Sequence, residues 1–281
     1  MAEITAAAVA KLREMTNAGM MDCKKALTEA NGDLTVAVEI LRKKGQATAT
    51  TKGAREAREG VIAQYIAPDG RLGVLAEVNC QTDFVARNEM FRAFADDVAK
   101  RLAADPKTDF ETDRVNMVAK IRENIQIPRF SRMAVTGNGL VAAYIHTGAK
   151  VGVLVEVGAG KESTSTNNEF KQLVKDITLQ IAAGHPFVVS REEVAKDVLD
   201  KEDEITRAQV KDKPPKVQDQ IVLGKREKFY QTYCLVDQGF VKKNSEISVK
   251  EHIESIEKLI DDKVVIRQFK RFQVGESTAA A

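Results

Sequence analysis

The chain has 281 residues, 43% apolar and 30% charged, enough apolar mass for two or three compact units. Its 43 basic and 41 acidic residues leave a net charge of +2, which argues against bulk nucleic-acid coating or a membrane-surface role, since both need an electrostatic surplus. Cys23, Cys80 and Cys234 are far apart and form no Cys-x-x-Cys pair, so reduced, buried thiols in a cytosol-like compartment are expected. The charged N-terminus is unlike a signal peptide, and no window approaches about eighteen uncharged apolar residues, so the expectation is a soluble, cytoplasmic protein with no membrane span.

Thr5 to about Gly45 reads as three short helices. Val9, Leu12 and Thr16 lead into a break at Asn17-Ala18-Gly19, where Gly19 can end a helix. Met21-Asp22 open a second helix with Ala26, Leu27 and Ala30 on one face. Asn31-Gly32 breaks it, and Asp33 is placed to cap a third helix carrying Val36, Ala37, Ile40 and Leu41. A unit of about forty residues is near the lower limit for an independent core. From Gly45 to Gly60 the chain turns polar and reads as a linker or a poorly packed helix. A basic strip for RNA over Lys43–Arg58 is the functional alternative, but no aromatics interleave with its charges.

An internal repeat follows, with an offset of 79 residues. Gly60-Val61-Ile62-Ala63-Gln64-Tyr65-Ile66 pairs with Gly139-Leu140-Val141-Ala142-Ala143-Tyr144-Ile145, and Gly73–Val78 pairs with Gly152–Val157. The turns Pro68-Asp69-Gly70 and Thr147-Gly148-Ala149 make each pair of runs a hairpin. Phe91, Phe94, Val98 and Leu102 recur as Phe170, Leu173, Ile177 and Ile181, at helical spacing. Each copy is thus a hairpin plus a covering helix, and the fold class is α+β.

Past Pro186, Ser190-Arg191-Glu192-Glu193 looks like a capping box, and Val194, Val198 and Ile205 line a narrow apolar seam. Lys211-Asp212-Lys213-Pro214-Pro215 must break the helix, after which Val217, Ile221 and Phe229 share a face. The pair reads as an antiparallel helical hairpin inserted at about 190–233. Val249, Ile253, Ile256 and Leu259 mark a last helix, and Val264–Phe269 a closing strand.

Catalytic signatures fail one by one. Gly158-Ala159-Gly160-Lys161 has Val155 where a phosphate loop needs glycine and Glu162 where it needs a hydroxyl. Gly137-Asn138-Gly139 imitates a dinucleotide fingerprint but precedes a strand instead of following one. His146, His185 and His252 have no ligand spacing, and His185 reads as a helix terminus. Cys80 has no activating signature around it. A binding or regulatory protein, not an enzyme, with no metal and no cofactor, is the leading class.

Two stretches then carry a resemblance. Asn17-Ala18-Gly19-Met20-Met21-Asp22-Cys23-Lys24-Lys25-Ala26-Leu27, with Asn31-Gly32-Asp33 after it, resembles the N-terminal domain of the translation elongation factor Ts family. Glu77-Val78-Asn79-Cys80-Gln81-Thr82-Asp83-Phe84-Val85-Ala86-Arg87 resembles the family's signature, centred on Thr-Asp-Phe-Val. With the duplicated core, the helical hairpin and Phe272-Gln273-Val274-Gly275-Glu276, the resemblance covers nearly the whole chain.

The resemblance implies a guanine-nucleotide exchange factor, a cytoplasmic component of protein biosynthesis whose partner is elongation factor Tu. It implies a small three-helix ubiquitin-associated-like N-terminal domain with its linker over 1–55, a core N-subdomain over 56–138 and a core C-subdomain over 139–281. The inserted hairpin would serve a homodimer or a two-plus-two assembly; no membrane and no direct nucleic acid are expected. Asp83 and Phe84, within Thr82–Val85, would enter the G domain of Tu, with Phe84 wedged beside the magnesium and phosphate region. Met20, Met21 and Lys24 match contact positions of the N-terminal domain, and Ile121, His146 and Val241 match contacts of the core. Arg122 stands where the family commonly carries glycine before Glu123-Asn124-Ile125, and adds charge there. Longer members continue into a C-terminal helix on the partner, a contact expected to be absent with the chain stopping at Ala281.

On the residues alone, Phe84 reads equally as core, Asp83 as a helix cap, His146 as a turn histidine and Met20 and Met21 as packing residues, though adjacent residues cannot share one helical face. The rival classes are an adaptor whose three-helix head takes a ubiquitin-like or helical partner, and an RNA-binding translation factor.

Overall fold

Capping chemistry sets many of the element boundaries in the computed structural model, which describes residues 4–16, 18–53 and 55–276. The Thr5 hydroxyl accepts the Ala8 N–H at 3.2 Å and starts α1 (Ala6–Thr16). Of the expected break after it, Asn17 lies outside the described residues, and Gly19 stands at the N-cap of α2 (Met20–Glu29). Asn31 and Gly32 take φ of 50° and 90°, a reversal no helix tolerates. Asp33 then accepts the N–H groups of Thr35 and Val36 at 2.7 and 3.0 Å, opening α3 (Leu34–Gly53). Leu12, Cys23, Ala26, Leu27 and Ala37 close the core of this head.

The polar stretch after Gly45 is helix, not linker: α3 runs unbroken to Gly53. Its neighbour is α6 (Glu111–Ile121), where a side chain on Gly45 would meet the Ala119 methyl at 3.4 Å. A glycine that reads as a helix end is here a point of close helix approach.

Between them come β1 (Glu59–Ile66), β2 (Leu72–Cys80), the single turn α4 (Asp83–Ala86) and α5 (Glu89–Ala104). After α6 follow β3 (Gln126–Ala134), β4 (Gly139–Ile145), β5 (Val151–Ala159) and α7 (Asn168–Gly184). The chain ends through α8 (Lys196–Gln209), α9 (Pro215–Tyr233), α10 (Val249–Ile260) and β6 (Val264–Gln273). This is mixed helix and sheet, with two three-stranded sheets of order β1-β2-β3 and β4-β5-β6. β4 pairs antiparallel with β5, from Gly139 opposite Gly158 to Ile145 opposite Gly152.

The offset of 79 residues recurs in atomic detail. Gly60 and Gly139 have φ of 148° and 139°, and a side chain on either would lie 2.2 Å from the carbonyl of Val78 or Val157. Asn88 and Asn167 each cap the following helix by accepting two backbone N–H groups. The structure carries the equivalence beyond the hairpin and first helix. Glu77 and Glu156, both buried in their sheets, each take an arginine from the third strand: Arg129 Nε at 2.7 Å and Arg267 Nη1 at 3.1 Å. Each copy is therefore hairpin, helix, helix, strand, with residues 185–248 inserted between the two helices of the second.

Two expectations for the insert are corrected. Ser190–Glu193 is no capping box: Arg191–Glu193 is one 3-10 turn without a side-chain cap, and α8 starts only at Lys196. Glu193 is drawn to the Val189 N–H at 3.1 Å, and Arg191 binds Asp237 and Glu227. The same Ser-x-x-Glu pattern does form the box at Ser248 and Glu251, ahead of an apolar helical stripe. Val198 and Ile205 are also exposed instead of forming a closed seam, while Thr206 and Val222 are buried and Arg226–Asp203 and Arg207–Asp219 ion pairs join the two helices.

The described residues form two compact units. One takes the stretches up to Ala63, Ala76–Phe130 and from Gln273 on; the other takes Gln64–Leu75 and Ser131–Phe272. In the second, Val153, Val155, Phe170, Leu173, Ile177, Phe240, Val249 and Ile266 build one core. No helix among the described residues is long and apolar enough to cross a membrane.

Candidate functional site

β2 delivers the chain to its most exposed aromatic through a short, heavily bonded turn. Cys80, the last residue of the strand, is fully buried and its thiol donates to the Thr82 carbonyl at 3.2 Å. Thr82, with φ −125° and ψ 153°, caps α4, and its hydroxyl accepts the Val85 N–H at 3.4 Å. Asp83 is thus the first helical residue, not the cap, and pairs with Arg87 at 2.9 Å. At the far end, Asn88 caps α5 and Arg92 Nε donates to the Ala86 carbonyl at 3.2 Å.

Phe84 stands on this turn with 80% of its surface exposed, so the reading of it as core is overturned. Burying such a side chain is worth about 1.5–3 kcal/mol, which the free chain forgoes. Val85 and Thr82 beside it are half-buried.

The remaining candidates fall in two further places. Met20 and Met21 are both exposed, against the packing alternative, and with Lys24 they line a groove of about 750 Å³ whose walls include Ile4, Val9 and Arg13. Ile121, half-buried, ends α6. In the second unit, His146 and the exposed Val241 share a groove of about 420 Å³ with Tyr144, Leu179 and Ala182. The His146 ring nitrogen Nδ1 lies 3.0 Å from the Tyr144 hydroxyl, in the turn after β4.

Sequence reasoning missed Tyr144 and Leu179 as walls of that groove, and Glu123 as the acceptor for the turn before Phe84. Tyr144 alternates with His146 along the strand end and was findable; Glu123 lies 41 residues from Thr82 and leaves no local signal.

No group of His, Cys, Asp and Glu among the described residues is arranged to hold a metal ion. Burial pushes the Cys234 thiol up to about 11, where it is inert as a nucleophile at neutral pH. What the surface offers instead is exposed apolar side chains, Phe84 on a side-chain-capped turn among them, the form of surface that other proteins recognise.

The fold and this site define an internally duplicated α+β chain that presents one aromatic on a capped turn. Residues 81–276 match the sequence model of the family described as Elongation factor TS. Elongation factor Ts of Clostridium kluyveri is 42% identical over 292 residues, covering 97% of this chain and 93% of the relative. The Clostridium botulinum strain Alaska E43 protein of the same name is 41% identical and the Clostridium novyi protein 40%, with the same coverage. The chain belongs to the elongation factor Ts family. It is a translation elongation factor.

Proposed function

We propose that this chain binds elongation factor Tu carrying GDP and promotes GDP release, acting as an exchange factor and not as an enzyme. The observation that carries the reading is Phe84: a large apolar side chain, 80% exposed, on a turn fixed at both ends. A GTPase holds its nucleotide through loop amides, a lysine and a magnesium ion bridging phosphate oxygens. A factor that releases it needs no chemistry. It must bind the nucleotide-free form more tightly than the GDP form, and linkage then makes GDP weaken the factor by the same ratio. A rigid phenyl ring inserted near the magnesium and phosphate region suits that task, because one conformation of the partner accommodates it and the other excludes it.

Thr82, Asp83, Phe84 and Val85 form the inserting element in this reading. Residues 1–55 dock through Met20, Met21 and Lys24, and Ile121, His146 and Val241 add contacts from the core subdomains 56–138 and 139–281. The helical hairpin at about 190–233 is an arm for a homodimer or a two-plus-two assembly. Its exposed Val198, Ile205, Val217 and Leu223 support that role. The cytoplasm is where such a factor works.

The test is release of fluorescent GDP from purified elongation factor Tu. Substoichiometric amounts of this chain are expected to accelerate release with turnover, and GTP or GDP in excess to displace the factor. Release at the uncatalysed rate would contradict the reading.

A further inference from the structure

The three residues after α6 reach three parts of the first unit between them: α2, the turn before Phe84 and the end of α3. Arg122 adopts a left-handed conformation, φ 66°, and closes α6 by donating its N–H to the Val118 carbonyl at 2.8 Å. A left-handed C-cap reverses the chain sharply. The Arg122 guanidinium then donates to the Asp22 carboxylate on α2. Glu123 turns to the residues just before Phe84: its Oε2 accepts the N–H groups of Gln81 and Thr82 at 3.0 Å each, and its Oε1 accepts the Thr82 hydroxyl at 2.7 Å. Asn124, fully buried, donates its N–H to Gln81 Oε1 at 3.1 Å and its amide to the Gly53 and Arg55 carbonyls, at 3.4 and 2.7 Å, where α3 ends.

We propose that Glu123 is the positioning residue of Phe84, and that the turn Arg122-Glu123-Asn124 holds α4, α2 and α3 together. The proposal rests on the reading of Phe84 as the inserted side chain. A helix of one turn has no stability of its own. At its N-terminal end α4 is anchored through Thr82, whose own capping bond is long, 3.4 Å, whereas the bonds to Glu123 end on a carboxylate and are the stronger kind. Remove that acceptor and Gln81 and Thr82 lose three bonds. Phe84 then samples several directions and must be ordered on binding, which weakens the step that uses it.

The chain contains no tryptophan, so Phe84→Trp places a single reporter on the turn. Time-resolved anisotropy of that reporter, measured on the full chain alone, is expected to lose most of its slow component on adding Glu123→Ala. Glu123→Gln is expected to restore it, because the amide oxygen accepts both backbone N–H groups and the Thr82 hydroxyl can turn to accept from the amide nitrogen. If the alanine chain does not fold, Glu123→Asp, one methylene shorter, is read the same way. An unchanged decay in the folded variants overturns the proposal.

GDP release from elongation factor Tu, measured with Phe84 in place, separates this from the reading beneath it. Glu123→Ala is expected to lower the maximal rate about tenfold while the half-saturating concentration stays within about twofold. Asp22→Asn is expected to do the opposite, raising the half-saturating concentration about twofold to fivefold at an unchanged maximal rate, as loss of one exposed ion pair allows. A mobile reporter with a normal release rate would leave Glu123 as the residue that positions the turn and overturn the role given to Phe84.

Discussion

Phe84 shows how far a single position can be read from its neighbours. In sequence it stands at a helix start, after Gln81-Thr82-Asp83 and before Val85-Ala86, where a core residue and a contact residue look alike. Its exposure decides between them, and that depends on where α4 lies, which Glu123 governs from outside the local sequence. Phe84→Ala is expected to leave thermal stability within about 0.5 kcal/mol of the parent, the usual range for a surface change. The complex with elongation factor Tu should lose about 2–4 kcal/mol, as when a central aromatic anchor is removed. Circular-dichroism melts and titration of labelled Tu check the two halves separately.

Glu156 is a buried carboxylate with three hydrogen-bond partners. Burial alone would raise its pKa, but Gln268, the Thr136 N–H and Arg267 bond the charged form and hold it below the ordinary glutamate value. The folded pKa is depressed, so its contribution is full above the unfolded value of about 4.3 and is lost as pH falls through the lower folded value. Glu156→Gln should therefore flatten the acid limb of the stability curve, seen in urea melts at stepped pH. Arg267→Met, which leaves a buried carboxylate without its cation, should cost about 3 kcal/mol at neutral pH.

At the scale of elements, legibility followed the capping residues. Asp33 was readable because a helix-breaking Asn-Gly precedes it and an apolar helical pattern follows. The Ser-x-x-Glu at 190 is misleading because Arg191 and Glu193 bond other partners, whereas the same pattern at 248 forms the full box. Ser248→Ala should cost about 1 kcal/mol, measurable as a lower urea midpoint at constant slope. The seam of the helical hairpin failed for another reason: the spacing of Val198 and Ile205 marks one face of α8 but cannot say whether α9 or solvent lies against it.

That hairpin joins its unit through a narrow neck. The Leu235 and Val236 N–H groups donate to the Val188 and Val189 carbonyls at 3.0 and 3.1 Å, so the two ends of the insert already meet. Replacing about 190–233 with a short Gly/Ser loop should leave the core folded, since closing a loop across ends so close costs little. GDP release should persist and sedimentation should show a smaller assembly. Release falling in proportion to the truncation, with the core still folded, would move the active surface onto the arm.

For the molecule as a whole, the sequence repeat was legible because both copies keep the residues that geometry constrains most tightly. Gly60 and Gly139 face a carbonyl at a distance no side chain survives, and Asn88 and Asn167 cap equivalent helices. The third strand of each copy carries no repeat signal of its own, because its arginine is recognisable only through the buried glutamate it meets. The same limit applies to the candidate site. Its most exposed residue, Phe84, stands in a recognisable motif, whereas Glu123, which bonds the turn before it, lies 41 residues from Thr82.

The most direct test of the account is the rate of fluorescent GDP release from elongation factor Tu at saturating concentrations of this chain and of its Phe84→Ala variant, each corrected for folded fraction. The account predicts fast release with the parent chain and a loss of at least about thirtyfold with the variant, the kinetic equivalent of about 2 kcal/mol. Equal rates from the two folded proteins would contradict it.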